Sequence, residues 1–476
     1  MAQSRRHLLV TWRVNFGGDS RDIPAIKSSL ILPVMRPTSL TARFVVQLSL
    51  TLLVTALGLS TTAFAATNDS ELKLVIVLTR HGVRSPLQTN ETLGKYAAEP
   101  WPQWSVPPAI LTPHGRQQMV LVGNYYRERY VAEGLLTGDA AKDFPQIFFR
   151  SDNDQRTQET ARALANGLVP GAPEPELHTR PKGTVDALFQ PVKARPELPD
   201  RSLAVAAVLG RMGNDPGNML RAHQDDFVAL EKVLGIEGVP PPGKVALRDL
   251  PVVVHAGTLD HTVSLDGSLR IGMQIVDALL LEYTEGMPMK DVGWGRLTPA
   301  LLTQLITLHS VYFNLGDATF YPAQAQASNL ADHLRSTLEQ SAKGQPVAGA
   351  FGAPGQKLVV VVGHDTNLVN LGGLLGLEWY VPGTQLNPVL PGGALILELR
   401  QRRGDGQFVV RAEYVSQTLE QTRNLSPLSL ATPPAVSPIF IPACSEAGPG
   451  FDAPLEKFEA LLQRVIDPKF VVPGTP

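Results

Sequence analysis

Residues 74–86 read LVIVLTRHGVRSP, an apolar run that leads directly into two arginines on either side of one histidine. A short apolar run that ends in a polar turn is typical of a buried strand of a parallel sheet. The functional groups of an open α/β sheet gather beyond the carboxyl ends of its strands. The stretch therefore predicts a central strand and, at its end, a candidate site that contains Arg80, His81 and Arg84.

Two further runs have the same form. Residues 146–149 (QIFF) lead into the polar segment 150–156 (RSDNDQR), and residues 358–362 (LVVVV) lead into 363–367 (GHDTN). Because the carboxyl ends of parallel strands meet at one edge of a sheet, the three polar segments are expected to lie together. The fold class that follows is α/β, with a mainly parallel sheet flanked by helices.

Helical patterns fill the intervals between these runs. One helix is expected at residues 116–133, after the turn and cap residues LTPHG, and a second at residues 154–166, closed by Gly167. Near the C-terminus the runs ALILEL and FVVRAEYV regain strand character, and RGDG at residues 403–406 predicts the hairpin turn between them.

The middle of the chain has a different character. From about residue 202 to 337 there are no convincing strand runs, and four helices are expected, at residues 204–212, 225–234, 264–283 and 299–315. We therefore predict an α/β catalytic domain formed by residues 66–200 and 345–476, with an α-helical insertion domain at residues 201–344.

The N-terminus has the form of a secretion signal. Residues 44–59 are an apolar run, preceded by Arg36 and Arg43 and followed by small residues that suit cleavage after Ala65. The run is short for a membrane span. We therefore predict a signal peptide at residues 1–65 and a mature protein in the periplasm or outside the cell.

The start and the export route leave alternatives. Residues 1–34 do not fit a signal peptide, whereas Met35 begins a conventional one, so we interpret Met35 as the true start. Twin-arginine export is the alternative, because residues 4–6 read SRR, but such a pair should lie just before the apolar run.

Composition excludes several classes of protein. A formal net charge of −2 with 18% charged residues argues against a basic nucleic-acid binder and against disorder. The single cysteine, Cys444, rules out an intrachain disulfide, a Cys-based zinc site and an iron–sulfur cluster. Six further histidines show no metal-ligand spacing, so we expect no metal and no other cofactor: His114, His178, His255, His261, His309 and His333.

The three polar segments contain the groups that metal-free phosphoryl transfer needs. Arginines stay charged and match phosphate oxygens bidentately. A neutral imidazole can act as a nucleophile, and a carboxylic acid can protonate a leaving alkoxide. The expected partner is a small phosphomonoester substrate.

These motifs resemble those of the histidine acid phosphatase family, whose hallmark is R-H-G-x-R-x-P near the mature N-terminus and H-D much later. The resemblance is to the bacterial phytase and glucose-1-phosphatase branch in particular. It covers nearly the whole mature chain, through WPQW at 101–104, LTPHG at 111–115, DQRT at 154–157, GWGRL at 293–297, GHDTNLVNLGG at 363–373, PGG at 391–393 and SPLSLATPP at 426–434.

The resemblance implies a role for each motif residue. His81 would attack phosphorus and become a phosphohistidine, and Asp365 would protonate the leaving alkoxide and then help to activate water. The phosphoryl oxygens would be held by Arg80, Arg84, Arg156 and His364.

Three further residues are candidate pocket residues: Thr366, His309 and Gln88. His309 matches a pocket position in related phytases, with structural packing as the alternative. Gln88 stands where phytases that resemble this chain carry Lys, and Gln326 stands where another basic residue is expected. The missing cations favour a broad monoester phosphatase that accepts phytate without strong preference over glucose phosphates.

Two other functions are open at this point. A periplasmic binding protein for phosphorylated ligands would share the basic pocket, but Asp365 facing a dianion favours an enzyme. A phosphomutase of the wider superfamily is disfavoured by export. We expect a monomer without nucleic-acid partners and, once the signal is removed, without a membrane partner.

Overall fold

The computed structural model describes residues 69–472 and Gly474, so the expected signal peptide and the interpreted start at Met35 lie outside the described residues. The strands are β1 Ser70–Arg80, β2 Ile147–Ser151, β3 Val253–Ala256, β4 Val263–Asp266, β5 Leu358–Gly363, β6 Ala394–Arg402, β7 Phe408–Ser416, β8 Ala435–Ile439 and β9 Ala453–Pro454.

Fourteen α-helices lie in the described part of the chain. They are α1 Asn90–Leu93, α2 Pro113–Ala132, α3 Ala140–Asp143, α4 Gln155–Leu168, α5 Pro191–Ala194, α6 Arg201–Arg211, α7 Gly217–Ala222, α8 Gln224–Val233, α9 Ser268–Thr284, α10 Pro299–Gly316, α11 Phe320–Lys343, α12 Asp365–Leu375, α13 Leu419–Arg423 and α14 Leu455–Val465. None of them is both long and apolar enough to cross a bilayer.

Seven strands form one mixed sheet in the order β2-β5-β1-β6-β7-β8, with β9 beside β7. Both β1 and β2 pair with β5 in parallel, whereas β6, β7, β8 and β9 join through antiparallel pairs. Four of the seven strands, β1, β2, β5 and β7, therefore run in the same direction. The α/β class with its helix-flanked sheet is confirmed, and so is the hairpin of β6 and β7.

The central strand is buried because both faces of the sheet are covered. Leu74, Ile76 and Leu78 pack into the core that includes α9 and α10, whereas Val75 and Val77 face the core that includes α2 and α4. Alternate residues of a strand point to opposite faces, so a continuous apolar run is what a two-sided burial requires.

The sequence-based description of the middle segment was wrong about strands, because it expected none there. Residues 253–256 and 263–266 form an antiparallel hairpin, β3–β4, which delays the start of α9 to Ser268. The strands have only four residues each, too short to give a clear period-2 pattern. The helices α8 and α10 lie within one residue of their expected boundaries, α6 begins three residues earlier than expected, and α9 ends one residue later. The 24-residue helix α11 was not among the four expected helices.

Two helix ends also differ from expectation. The helix α2 begins three residues earlier, at Pro113, because Thr112 caps it by accepting a hydrogen bond from the Gly115 N–H (2.9 Å). Gly167 lies inside α4 and does not end it, because α2 crosses there: a Cβ on Gly167 would lie 2.2 Å from the Val120 carbonyl oxygen. The glycine serves close helix packing.

Candidate active site

The three parallel strands bring their polar segments to the same level. Arg80 at the end of β1 lies opposite Gly363 at the end of β5, and Ser151 at the end of β2 lies opposite Val362. The next residues continue the ladder: the His81 N–H donates to the Gly363 carbonyl (3.1 Å). This register places His81, Asp152 and His364 side by side, as expected of parallel strand ends.

Arg80 and Arg84 are buried and share one carboxylate. Asp277 of α9 places Oδ1 3.1 Å from Nη2 of Arg80 and Oδ2 3.1 Å from Nη2 of Arg84. Arg80 also donates to the Val389 carbonyl (2.6 Å). Burial would raise the pKa of Asp277, but the charges of Arg84 and Arg80 hold it below its usual value. Asp277 thus fixes both guanidiniums in place.

The arginines keep donors free for a ligand. The buried Nε atoms of Arg80, Arg84 and Arg156 have no hydrogen-bond partner among the described residues. Buried polar groups are almost always paired, so a cluster of unpaired donors of positive charge indicates a site for an anion. Arg156 lies in the first turn of α4, where the helix dipole also favours an anion.

The ring of His81 is oriented for nucleophilic attack. Its Nδ1 lies 2.9 Å from the Gly82 carbonyl oxygen. Because a carbonyl only accepts, Nδ1 carries the proton, and Nε2 keeps its lone pair. Burial, then the charges of Arg156, Arg84 and Arg80, lower the pKa of His81 well below its usual value, so the imidazole is neutral.

His364 stands across from it, with ring centroids 5.7 Å apart. Nε2 of His364 donates to the buried carboxylate of Asp152 (2.7 Å), and its Nδ1 lies 3.4 Å from Nη2 of Arg156. The backbone N–H of His364 donates to the side chain of Asn367 (2.9 Å) at the start of α12. These contacts hold the ring at the edge of the arginine cluster.

The Asp365 carboxylate lies next to Arg80. Its Oδ2 is 3.1 Å from Nη2 of Arg80, and Oδ1 accepts a hydrogen bond from the Thr366 N–H (2.9 Å). Burial would raise its pKa, but the arginines outweigh burial, Arg80 first and then Arg84, and lower the pKa of Asp365 to about 2. The free protein therefore holds Asp365 ionised even in mild acid.

A cavity of about 310 Å³ opens above these groups. All three candidate pocket residues line it, as do Arg84, Arg156, His364 and Asp365. His309 serves packing as well: it is buried against Phe313, and burial lowers its pKa to about 4. The other expected cation position, Gln326, is not among the cavity residues and hydrogen-bonds the Asp260 carbonyl (3.3 Å).

Sequence reasoning missed the opposite wall of the cavity. Its polar residues come from segment 201–344: His261, Arg270, Gln274, Asp277 and Asp317. A usable signal existed, since Arg270, Gln274 and Asp277 are polar at spacings of four and three residues in a largely apolar stretch of the helix. Enclosure in the cavity raises the pKa of Asp317 to about 7.

Among the residues that the structure describes, one set of side chains has the spacing of metal ligands, namely Asp152, Asp154 and His364, whose donor atoms lie within 4.8 Å of one another. Each already has a partner: Asp154 pairs with Arg156 (2.7 Å), and Asp152 accepts from His364. The guanidinium of Arg156 compensates the negative charge of the two carboxylates. The arrangement favours orientation of the imidazole over binding of a cation.

Comparison with known proteins supports a specific family. Residues 71–226 match the family model described as "Histidine phosphatase superfamily (branch 2)". Phytase AppA of Escherichia coli K12 is 32% identical over 398 residues, covering 80% of this chain and 89% of that protein. The glucose-1-phosphatase of Salmonella typhimurium is 28% identical, covering 82% of this chain and 92% of that one.

Solved structures agree. The phytase of Citrobacter braakii superposes with a TM-score of 0.78 at 30% identity, covering 85% of this chain and 99% of that chain. Hafnia alvei phytase in complex with myo-inositol hexakis sulphate gives a TM-score of 0.77 at 29% identity, covering 86% and 100%. The chain therefore belongs to the histidine phosphatase superfamily. Within it, the chain is an acid phosphatase, an enzyme that hydrolyses phosphomonoesters.

Proposed function

We propose that the protein is an exported histidine acid phosphatase that hydrolyses organic phosphomonoesters, phytate and sugar phosphates among them, through a phosphohistidine on His81. The observation that carries the proposal is the free Nε2 of a neutral imidazole among three arginines with unpaired buried donors. Relatives named phytase and glucose-1-phosphatase support the substrate class.

The first chemical step is attack of Nε2 on phosphorus. The N–P bond forms as the P–O bond to the leaving group breaks, and Asp365 gives its proton to the departing oxygen. Arg80, Arg84 and Arg156 neutralise the phosphoryl oxygens, and His364 lies beside them. Positioning and charge supply most of the rate, as in other phosphoryl transfers.

The second step releases phosphate. Asp365, now a carboxylate, takes a proton from water, and the water oxygen attacks phosphorus. The P–N bond breaks, and its electron pair returns to Nε2 of His81. The imidazole is neutral at the beginning and at the end of the cycle.

The low pKa of Asp365 in the free protein makes substrate binding part of the acid chemistry. A phosphate dianion brings negative charge against the same arginines that hold Asp365 ionised. Its charge raises the pKa of the neighbouring carboxyl, so the donor becomes protonated with substrate in place. Acidic solution favours this state, which supports an acid optimum.

Turnover distinguishes this proposal from a binding protein without activity. We expect purified protein to release p-nitrophenol from its phosphate ester at about pH 5, near the usual range of acidic donors. The variant His81→Ala is expected to bind inorganic phosphate but to release no p-nitrophenol. Absence of release by folded wild-type protein would favour the binding protein.

Export is a separate part of the proposal and rests on residues 1–65 alone. The N-terminal residue of protein recovered from the medium or the periplasm tests it. We expect Ala66, and an N-terminus at Met35 or earlier would contradict the cleavage site.

A further inference from the structure

The helix α9 presents a second cation to the same cavity. Arg270 precedes Asp277 by seven residues, which is two helical turns, so both side chains lie on one face of α9. At 1.5 Å per residue, Arg270 lies roughly 10 Å along the helix from the carboxylate that holds Arg80 and Arg84. Both residues line the cavity.

The position of Arg270 does not favour the stability of α9. Arg270 is the third residue of α9, in the first turn, where the helix dipole disfavours a cation. The local compensation is Asp266, whose Oδ1 lies 2.7 Å from Nη1 of Arg270. A function for the cation therefore has to be sought in the cavity that it faces.

Asp266 does not neutralise Arg270 completely, because a second basic side chain shares the Asp266 carboxylate. His255 on β3 hydrogen-bonds Oδ2 of Asp266, and this contact raises the pKa of His255. In acid the group consists of two cations and one carboxylate. His261 lines the same cavity. Burial lowers the pKa of His261, so its contribution to an anion is the ring N–H donor.

The wall between Arg270 and Asp277 suits a ring. Gln274, between the two charged residues on α9, offers an amide, and Tyr312 together with Leu265 offers flat or apolar surface. A six-membered ring that carries its reacting phosphate at His81 can extend along this wall. A phosphate on the far side of the ring then comes toward Arg270.

We propose that Arg270, with His261 beside it, forms a second anion subsite that recognises a distal phosphate of substrates phosphorylated at two or more positions. The inference rests on the proposed function of the cavity. It also changes the substrate expectation: the cations missing at Gln88 and Gln326 are replaced from another element. Polyphosphorylated substrates are preferred over the matching monophosphates.

The test compares glucose 1,6-bisphosphate with glucose 1-phosphate at one acidic pH. In Arg270→Gln, kcat/KM for the bisphosphate is expected to fall about 10-fold, as for loss of a charge-assisted contact, with less than about a 2-fold change for the monophosphate. Arg270→Lys should recover part of the loss. Arg335→Gln is the matched control, because it removes an ion-paired arginine on α11 that does not line the cavity.

The outcomes separate the two proposals. An unchanged ratio of the two kcat/KM values in Arg270→Gln, or an equal change in Arg335→Gln, overturns the subsite while leaving the phosphatase intact. If the wild-type protein hydrolysed neither the bisphosphate nor the monophosphate, that result would instead contradict the proposed function. In that case calorimetric binding of the same two sugars decides the subsite: Arg270→Gln must weaken the bisphosphate alone.

Discussion

The two ring nitrogens of His81 have opposite tasks, and one contact assigns them. Nδ1 is committed to the Gly82 carbonyl, so Nε2 is available to phosphorus. The nearby arginines lower the pKa of the same ring and bind the group that it attacks. A nucleophile that stays neutral in acid is what an acid phosphatase requires.

Asp365→Asn tests the proton donor. We expect kcat for an alkyl phosphate to fall by roughly 10²–10⁴, because an alkoxide cannot leave without a proton. For p-nitrophenyl phosphate the loss should be smaller, since its leaving group is already stable. Equal losses for both substrates would show that Asp365 is not the donor.

The same variant has a pH signature. With a protonated donor required in the complex, wild-type kcat for alkyl phosphates should decline as pH rises through the pKa of Asp365 in the substrate complex. Asparagine does not titrate, so that alkaline limb should disappear in Asp365→Asn. A pH profile of kcat for both proteins measures it.

At this scale the sequence revealed the residues that follow strands directly. Arg80, His81 and Arg84 come from one turn, and adjacent residues stay adjacent in any fold. Asp277 and Arg270 could not be placed in the same way, because they reach the site through the packing of a helix that lies almost 200 residues further on. The spacing of polar residues marks one face of α9, but only the tertiary structure shows that this face meets the cavity.

At the scale of elements, the turn after β1 is pressed against the start of α2. The Gly82 N–H donates to Thr160 Oγ1 of α4 (3.0 Å), and the Thr112 N–H donates to the Val83 carbonyl (3.1 Å). A Cβ on Gly115 would lie 2.0 Å from that Val83 oxygen. Two helices therefore set the conformation of the turn that carries His81.

Gly115→Ala should displace this turn. The clash is with backbone, which cannot rotate away, so we expect stability to fall by about 1–3 kcal/mol and phosphatase activity to fall with it. Thermal unfolding and kcat/KM measure the two effects. Gly210→Ala in α6 is the control: no other described residue would crowd the added Cβ within 4 Å, and alanine there should raise the free energy of unfolding by about 0.5–1 kcal/mol. Full activity in Gly115→Ala would contradict the account.

Elements were predictable where local sequence decides them. Long apolar runs gave β1, β5 and the hairpin of β6 and β7, because burial on both faces leaves a continuous signal. The hairpin β3–β4 was missed because four-residue strands give too little pattern. Gly167 was assigned to a helix end, since its use as a close-packing residue depends on α2, which is distant in sequence.

At the scale of the whole molecule, the sheet supplies the nucleophile and segment 201–344 supplies the facing wall of the cavity. We propose that this segment is an insertion domain that covers the site. Its connection to the catalytic groups runs through α9, which bears Asp277 near the arginines and Glu282 one to two turns later.

Glu282 gives the folded molecule a pH-dependent stability. Burial raises its pKa to about 8, and its Oε2 accepts a hydrogen bond from the Gly293 N–H (3.1 Å). A raised folded-state pKa contributes stability that is complete below the unfolded value and is lost as pH rises through the folded value. The free energy of unfolding should therefore decline toward about pH 8.

Glu282→Gln should reduce this decline. The pKa of His309 is about 4 in the folded protein, so its titration does not change the free energy of unfolding between about pH 6.5 and pH 8. Buried carboxyls therefore dominate the pH dependence of stability in this interval. We expect Tm to fall less in Glu282→Gln than in the wild-type protein over this interval. An identical slope in both proteins would mean that Glu282 is not protonated in the folded state.

The central claim is that the phosphoryl group passes through Nε2 of His81, and trapping that intermediate tests it most directly. Wild-type protein mixed rapidly with a phosphomonoester labelled on phosphorus, and quenched in base, should carry an acid-labile label on the peptide that contains His81. His81→Ala, with unchanged Tm, should carry none and should turn over no substrate. Label on any other residue, or full activity in His81→Ala, would contradict the mechanism.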